Sequence, residues 1–299
     1  MIWCIGESLY DIIFVNGQPA WAVPGGSMLN VAVSVARFGQ KVTLISETGS
    51  DAVGSVISAF LDSNGISTRH MHTYKGNTTL ALAFLNEAGD ASYQFYHHMP
   101  VQAPEFPLPQ FSPGDVFVFG SFYSVNPRNR ANITRLAMAA AKAGAWVYYD
   151  PNFRKSHLGS LPEALPFIIE NIGLADFTRG SDEDFSLIAG ATDCFQAWEF
   201  TREHGCNHMI CTRNREGVDV FTGASVKHYD TPQVEVVSTI GAGDSFNAGF
   251  VTGLHGMGKN DLSATFWDEA IGRAVIFASE VCRSRENFIG RPDHTSAET

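Results

Sequence analysis

The stretch that most constrains this chain is a glycine-rich turn at residues 238–246, Ser-Thr-Ile-Gly-Ala-Gly-Asp-Ser-Phe. A β-branched run at 234–237 leads into it, and apolar residues at helical spacing, Phe246, Phe250 and Leu254, follow it. The pattern predicts a strand or loop that turns sharply into a helix. Glycines let the backbone approach a ligand closely, and the first N–H groups of a helix have no partner inside it. Because the helix dipole is positive at that end, the turn is a candidate anion site.

Asp244 places a carboxylate beside this candidate anion site. One interpretation is a plain helix cap, since aspartate is favoured at helix N-termini. The other interpretation is catalytic. A carboxylate can take the proton of an attacking hydroxyl while the amides of Gly241, Ala242 and Gly243 hold a transferring phosphoryl group. The spacing is neither that of a P-loop nor that of a dinucleotide fingerprint, so the residues alone leave both interpretations open.

Composition excludes several classes of protein. A chain of 299 residues with 44% apolar content can bury a large core, as one α/β domain or as a domain with a small accessory. The net charge of −11 argues against a surface for nucleic acid or for an anionic membrane. Without a signal-peptide pattern or an apolar run of about 18 residues, we expect a cytoplasmic protein. The five scattered cysteines, with no Cys-x-x-Cys pair, are expected to be reduced thiols.

Most of the chain alternates between strand and helix patterns. The predicted strands are 42–46, 116–120, 146–149, 176–178 and 209–212, and the predicted helices are 27–38, 51–64, 128–142, 162–171, 182–188 and 194–204. Ser27 suits the N-cap of the first helix. The alternation predicts an α/β fold with a doubly wound, mainly parallel sheet and helices on both faces. In such sheets ligands bind at the carboxyl ends of the strands.

Two segments break the alternation. Residues 12–23 contain an Asn-Gly turn between two extended pieces, which is a hairpin signal. Residues 68–98 contain alternating apolar segments on either side of a turn at 87–90. We expect these segments to form a small β-sheet lid, so that residues 1–299 make one domain with a lid.

The stretch 239–246 resembles the C-terminal signature of the ribokinase-like (pfkB-type) carbohydrate kinases. In that family the glycine-rich turn is the anion hole and the aspartate is the catalytic base. The resemblance therefore implies these roles for Gly241, Ala242, Gly243 and Asp244, and it covers roughly residues 2–285 in motif order.

Two further motifs resemble the sugar side of the family's site. Gly6-Glu7-x-x-x-Asp11 is similar to the first-strand motif, and Gly25-Gly26-x-x-x-Asn30 is similar to the N-terminal Gly-Gly signature. The resemblance implies that Asp11, Gly25, Gly26 and Asn30 bind the sugar. A carboxylate suits that task because it can accept two hydroxyl donors.

Residues 150–154, Asp-Pro-Asn-Phe-Arg, resemble a motif of the fructokinase and 2-keto-3-deoxygluconate kinase branch. The resemblance implies that Arg154 belongs to the substrate site and can meet a phosphate with two hydrogen bonds, whereas pairing with Asp150 is the alternative. Residues 181–184 resemble the family's Asn-x-x-Glu, which orders Mg²⁺ through water. Asp184 would take that metal role, with a side chain one methylene shorter than glutamate.

Residues 212–217 resemble the family's nucleotide loop, Thr-x-Gly-x-x-Gly, with Asn214 in place of the first glycine. Asparagine tolerates a positive φ better than most residues, so the loop can keep its shape. The resemblance implies that ATP contacts Thr212, Asn214 and Gly217, together with Gly241 and Gly243.

These features together predict an ATP- and Mg²⁺-dependent kinase that phosphorylates a primary hydroxyl of a hexose, with fructose the favoured substrate. 2-Keto-3-deoxygluconate, ribose and nucleosides are alternative substrates. An alternative from a different class is a catalytically weak sugar-binding regulator, which the departures from the family pattern at Asn214 and Asp184 motivate. A dehydrogenase is disfavoured, because the chain lacks a dinucleotide fingerprint after its first strand. The expected partners are the sugar and ATP, not nucleic acid or membrane, and a homodimer through the lid is left open.

Overall fold

The computed structural model describes residues 1–86, 91–97, 99–223 and 225–291. The strands there are β1 (Ile2–Ile5), β2 (Leu9–Val15), β3 (Gln18–Gly25), β4 (Val42–Gly49), β5 (Met71–Tyr74), β6 (Leu80–Leu85), β7 (Ala91–Tyr96), β8 (Val116–Gly120), β9 (Trp146–Asp150), β10 (Phe177–Ser181), β11 (His208–Thr212), β12 (Val218–Thr222) and β13 (Ser225–Tyr229). The α-helices are α1 (Ser27–Arg37), α2 (Ala52–Ser63), α3 (Ser121–Val125), α4 (Arg130–Lys142), α5 (Leu161–Leu174), α6 (Asp182–Ala189), α7 (Cys194–Glu203), α8 (Ala242–Leu254) and α9 (Ala264–Cys282).

The main sheet has nine strands in the order β13-β12-β11-β10-β9-β8-β1-β4-β5. Its pairs from β5 to β11 are parallel, and β12 and β13 add an antiparallel edge. The chain winds outward from β1 to β5 on one side and then from β8 on the other. The prediction of a doubly wound, mainly parallel sheet is therefore confirmed, and the carboxyl ends of β1 and β8 flank the reversal where ligands bind in such folds.

Alternating side chains of each central strand reach two apolar layers. On β9, Trp146 and Tyr148 pack with α1, α8 and α9, whereas Val147 and Tyr149 pack with α3, α4 and α5. This period of two, with both faces covered, explains why the central strands are apolar throughout.

Helix α8 is anchored to the sheet by the apolar stripe that the sequence predicted. The ring of Phe250 lies 5.6 Å from Tyr148, 5.4 Å from Phe177 and 5.8 Å from Trp267, measured between ring centroids. Such aromatic contacts fix both the depth and the rotation of a helix. The N-terminus of α8 is thereby held at the carboxyl edge of the sheet.

The second sheet has the order β3-β2-β6-β7, with antiparallel outer pairs and a parallel β2–β6 pair at its centre. It matches the expected lid, except that the predicted segment 68–98 is too long. Strand β5 pairs with β4 in the main sheet, because alternation shows which face of a strand is buried but does not identify its neighbour. The predicted turn at 87–90 lies outside the described residues. The inner face of the lid packs through Ile13 and Ala83 against Ile240, next to the glycine-rich turn.

Two of the cysteines are not free thiols, contrary to the expectation from their scatter. Cys194, at the start of α7, and Cys211, in β11, form a disulfide, whereas Cys4, Cys206 and Cys282 are free. Helix α7 leads directly into β11 and packs against it, so residues 17 apart in the sequence meet in an apolar cluster with Phe185. A motif search does not detect a pair that only the packing of helix on strand creates.

The described part of the chain contains no helix that is long and apolar enough to cross a membrane.

Reduction of the Cys194–Cys211 bond is expected to lower the free energy of unfolding by about 3 kcal/mol, because it frees a short loop in the unfolded chain. Thermal unfolding with and without a reductant measures the change. Cys282→Ser should show the same dependence on reductant as the unmodified chain, and the double variant Cys194→Ala/Cys211→Ala should show none. Five titratable thiols in the folded, unreduced protein would contradict the pairing.

Candidate active site

The glycine-rich turn ends at the carboxyl edge of the main sheet, where α8 begins. Gly241 is the N-cap in a left-handed conformation, φ 79°, and a Cβ built on it would overlap the carbonyl oxygen of Asn287. Only glycine satisfies both conditions. The N–H of Ala242 donates to the carbonyl of Thr239 at 3.2 Å, so the turn uses one of the three amides that the sequence assigned to the anion hole. The amide of Gly243 follows in the first turn, where helix N–H groups face outward.

The carboxylate of Asp244 is held by the first turn of a different helix. Ser27 Oγ donates to its Oδ1 at 2.6 Å and Asn30 Nδ2 donates to its Oδ2 at 2.8 Å. The N-cap of α8 is Gly241, and Asp244 lies inside the first turn with its carboxylate bonded to α1, so the alternative of a plain helix cap for Asp244 does not hold. Burial raises the pKa of Asp244, and the negative charge of Asp150 adds to this, while the two hydrogen bonds and the positive charge of Arg154 oppose it.

Ser27 is not the N-cap of α1, as the sequence pattern suggested. The N-cap is Gly26, with φ 113° and no side-chain cap, and Ser27 is the first helical residue. Its hydroxyl is turned to Asp244 instead, a role that only the meeting of α1 with α8 reveals.

The residues predicted to bind the sugar lie together beside Asp244. Asp11 Oδ2 accepts a hydrogen bond from Asn287 Nδ2 at 3.0 Å, and a Cβ on Gly25 would overlap the same carboxylate. Burial, followed by the negative charge of Asp244, raises the pKa of Asp11 to about 7. Asn30 is buried, and its Oδ1 has no hydrogen-bond partner within the described residues. A carboxylate and an unpaired buried acceptor at one place suit a ligand that brings hydroxyl donors.

Glu7 adds a third carboxyl group to this cluster. Its Oε1 accepts a hydrogen bond from Ser121 Oγ at 3.0 Å, at the end of β8. Burial raises the pKa of Glu7, and the negative charge of Asp244 adds to the effect. Three carboxyl groups, those of Glu7, Asp11 and Asp244, therefore lie close enough to influence one another.

Arg154, which the resemblance assigns to the substrate site, acts electrostatically on Asp244, Asp184 and Tyr93. Its side chain is exposed, and no hydrogen bond or ion pair joins it to another described residue. Its positive charge nevertheless opposes the rise in pKa that burial causes at Asp244 and Asp184, so Arg154 lies close enough to act on both. The alternative that Arg154 pairs with Asp150 is wrong, since Asp150 pairs with a different arginine.

That arginine, Arg179, carries no motif and was missed by the sequence analysis. It lies in β10 and is 8% exposed. Its Nη1 donates to Asp150 Oδ2 at 2.9 Å and its Nη2 donates to Thr212 Oγ1 at 2.8 Å, so it joins the ends of three neighbouring strands. The available signal was an arginine within a short buried strand pattern. Asn287, which donates a hydrogen bond to Asp11, was also missed, because it lies after the last helix in a segment without helix or strand pattern.

The residues predicted to bind the nucleotide form a loop after β11. Asn214 adopts a positive φ of 47° and Gly217 a φ of 106°, and Arg213 N closes the loop by donating to Gly217 O at 2.9 Å. Asparagine therefore reproduces the backbone that the first glycine of the resembled motif supplies. A cavity of about 440 Å³ lies between Asn214 and α6 with the residues 190–192 that follow it, within the size range of ligand sites.

Asp184 is only partly available for the predicted metal role. Its Oδ2 accepts hydrogen bonds from the backbone N–H and the hydroxyl of Ser181, both at 2.7 Å, in a capping box at the start of α6. No three His, Cys, Asp or Glu side chains of the described ranges are grouped so as to hold a metal ion. The donor set fits Mg²⁺ held through water from Asp184 Oδ1 and by the phosphates of ATP, a common arrangement for this ion.

Residues 1–287 match the family described as pfkB family carbohydrate kinase. The chain belongs to this family. It is accordingly a carbohydrate kinase, and its nine-stranded sheet with a separate small sheet is the ribokinase-like fold.

The relatives are kinases of different substrates. The chain is 26% identical to aminoimidazole riboside kinase of Salmonella typhimurium over 284 residues, which cover 94% of this chain and 87% of that protein. It is 27% identical to fructokinase of Escherichia coli over 291 residues, with coverages of 94% and 91%.

Solved structures agree with the fold. A crystal structure of aminoimidazole riboside kinase from Salmonella enterica, complexed with aminoimidazole riboside and an ATP analogue, superposes with a TM-score of 0.85 at 25% identity, covering 95% of this chain and 94% of that one. Fructokinase from Vibrio cholerae O395, in fructose, ADP and calcium ion bound form, superposes with a TM-score of 0.87 at 22% identity, covering 96% and 94%. At 22% identity, the similarity to the Vibrio cholerae structure supports the fold alone.

Asp11→Asn is expected to raise the melting temperature at pH 8 while it weakens sugar binding. The folded-state pKa of Asp11, about 7, lies above the ordinary value of 3.8, so its charge destabilises the fold above pH 7. The gain should therefore shrink as the pH falls from 7 towards 4. Melting curves over this range, with sugar affinity measured at pH 8, test it.

Asp51→Asn is the matched control, in which the same substitution is expected to change stability at pH 8 in the opposite direction. Asp51 caps α2, and its pKa is lowered. Burial alone would raise this pKa, but hydrogen bonds from Thr78 and Gly54 outweigh that effect. This variant should lose stability at pH 8. A loss of stability at pH 8 in Asp11→Asn as well would contradict the raised pKa of Asp11.

Proposed function

We propose that this protein transfers the γ-phosphoryl group of ATP to a primary hydroxyl of a sugar, with fructose as the first candidate substrate. The observation that carries the proposal is the position of Asp244, a buried carboxylate held by two donors at the start of the helix that bears the glycine-rich turn. A base fixed beside an anion site is what phosphoryl transfer to a hydroxyl requires.

On the sugar side, hydroxyl groups donate to Asp11 and to the unpaired Oδ1 of Asn30, which orients the sugar. The primary hydroxyl then lies against Asp244, which takes its proton as the oxygen attacks phosphorus. A carboxylate whose pKa is raised is the stronger base, so burial of Asp244 favours this step.

On the phosphate side, the amide of Gly243 and the positive end of α8 receive the transferring group. The exposed side chain of Arg154 lies next to this point and adds a positive charge. Bound Mg²⁺ supplies charge neutralisation between the phosphates. Asp184 is the residue that would position this ion, through water.

The charge of the sugar side guides the choice of substrate. Asp11 is buried there and Glu7 is half-buried, so a sugar acid such as 2-keto-3-deoxygluconate would bring a further carboxylate against these groups and Asp244. A neutral ketohexose avoids this repulsion, and fructokinases are among the relatives.

A riboside is the second candidate, favoured by the aromatic rings on β7. Tyr93 stacks with Phe95 at 5.8 Å and Phe95 with His97 at 5.6 Å, between ring centroids. The charges of Asp11 and Arg154 act on Tyr93, so the row starts at the sugar site. A heterocyclic base could stack along it.

A homodimer through the lid, which the sequence left open, would use the lid's outer face. Phe14 and Phe84 stack there at 4.8 Å between centroids, and Phe84 is 37% exposed. We include self-association through this face in the proposal, besides the binding of sugar and ATP.

The substrate is tested by a coupled ATP-turnover assay over hexoses, pentoses, nucleosides and sugar acids. Fructose is expected to give the highest kcat/KM, and a nucleoside in that place would favour the second candidate. Binding of sugars without turnover of any of them would favour the sugar-binding regulator.

Asp244→Asn is expected to lower kcat by about 10² to 10⁴-fold, the usual contribution of a positioned base, with affinities for ATP and sugar close to those of the unmodified enzyme. Steady-state kinetics and calorimetric binding measure the two effects. Asp62→Asn, an exposed aspartate of α2, is the control for loss of a negative charge. Turnover of Asp244→Asn within threefold of the unmodified enzyme would exclude Asp244 as the base.

A further inference from the structure

Arg179 lies directly against the anion-binding turn. A Cβ built on Gly243 would come within 2.9 Å of its Nη1 and 3.3 Å of its Nη2. The guanidinium carbon also lies 5.5 Å from the ring centroid of Phe246, in the first turns of α8. Gly243 therefore leaves space for a buried cation at the point where the sequence places the transferring phosphoryl group.

The guanidinium has more donors than the protein uses. Of its five N–H groups, one on Nη1 goes to Asp150 and one on Nη2 goes to Thr212, while Nε has no partner within the described residues. Both terminal nitrogens carry a second N–H, and both are the atoms that lie against Gly243. A buried cation with unused N–H donors destabilises the fold, unless a ligand accepts the remaining hydrogen bonds.

Asp150 is itself held in place. Its Oδ2 also accepts a hydrogen bond from Asn247 Nδ2 at 2.6 Å, and its Oδ1 accepts one from the backbone N–H of Asn152 at 2.8 Å. These bonds fix the carboxylate that orients Arg179, and the negative charge of Asp184 also acts on the guanidinium. The charge of Arg179 is thereby balanced by carboxylates, while its remaining N–H groups stay available to a ligand oxygen.

We propose that Arg179 is a catalytic residue that donates hydrogen bonds to the phosphoryl group during its transfer. In this step the sugar hydroxyl gives its proton to Asp244, its oxygen forms the new bond to phosphorus, and the bond to the β-phosphate oxygen breaks with release of ADP. Arg179 keeps its protons and neutralises charge on the phosphoryl oxygens. The inference rests on the proposed phosphoryl transfer at this turn.

Arg179 and Arg154 then differ in their contribution. Arg154 is exposed and has to be positioned when substrates bind, whereas Arg179 is fixed by Asp150 and Thr212 before they arrive. A preorganised charge in a buried site stabilises a transition state without further rearrangement.

The competing explanation is that Arg179 only neutralises Asp150. Four variants separate the two: Arg179→Lys, Arg179→Gln, Asp150→Asn and the double variant Arg179→Gln/Asp150→Asn. Removing one partner of a buried ion pair strands the other, so Arg179→Gln alone should melt at a lower temperature. The double variant removes both charges and should regain much of that loss.

We expect Arg179→Gln to lower kcat by about 10²-fold or more, as for loss of one donor to a transition state, with smaller changes in KM for sugar and ATP. Arg179→Lys, which keeps the charge, should retain more activity. The double variant should stay at least tenfold slower than Asp150→Asn. Recovery of its kcat to the level of Asp150→Asn would overturn the proposal, because the arginine would then serve only the ion pair.

Binding provides a readout that does not depend on turnover. With sugar present, MgADP plus tetrafluoroaluminate mimics the transferring phosphoryl group. Arg179→Gln should lose affinity for this complex at least tenfold, with affinity for MgADP alone unchanged, and equal losses for both would overturn the proposal. If the unmodified protein phosphorylates no sugar of the panel, the proposed function itself fails. An active enzyme indifferent to Arg179→Gln would reject this inference alone.

Discussion

The structure depends on one contact, between the first turns of α1 and α8 across the carboxylate of Asp244. Ser27 and Asn30 come from one helix and Asp244 from the other, and they meet with the side chains buried. Because both helices present their N-termini, their dipoles converge on the carboxylate. The aromatic packing of α8 on the sheet fixes this meeting point, so fold and site are set by the same contacts.

Around that contact the protein accepts an unfavourable arrangement of charge. Burial raises the pKa values of Glu7, Asp11 and Asp244, which lie close enough to repel one another. Such a cluster costs stability, and function is the reason to keep it, since carboxylates bind hydroxyl donors and accept a proton. Near the start of α8, Arg179 lies against Gly243 and pairs with Asp150, and the positive charge of Arg154 acts on Asp244. The carboxyl cluster and two arginines are thus brought together around Asp244.

The sequence predicted what depends on local pattern. The apolar stripe of α8 and the doubly wound sheet follow from periodicity, whereas Asp11, Asn30 and Asp244 were singled out by the motifs that resemble the kinase family. Features that depend on distant partners were missed or misjudged. Ser27 looks like a cap until α8 supplies Asp244, and the strand pattern around Arg179 does not show that its acceptors lie on β9 and β11. The sequence also missed the Cys194–Cys211 disulfide and misplaced β5, because both depend on partners that are distant in the sequence.

The central claim is that Asp244 acts as an ionised base within this buried cluster. The most direct measurement is the pH dependence of kcat with sugar and ATP both saturating. The account predicts one acid limb, in which kcat falls tenfold per pH unit below a pKa that lies above the ordinary aspartate value of 3.8. A kcat that stays constant down to the pH at which the protein unfolds would contradict it.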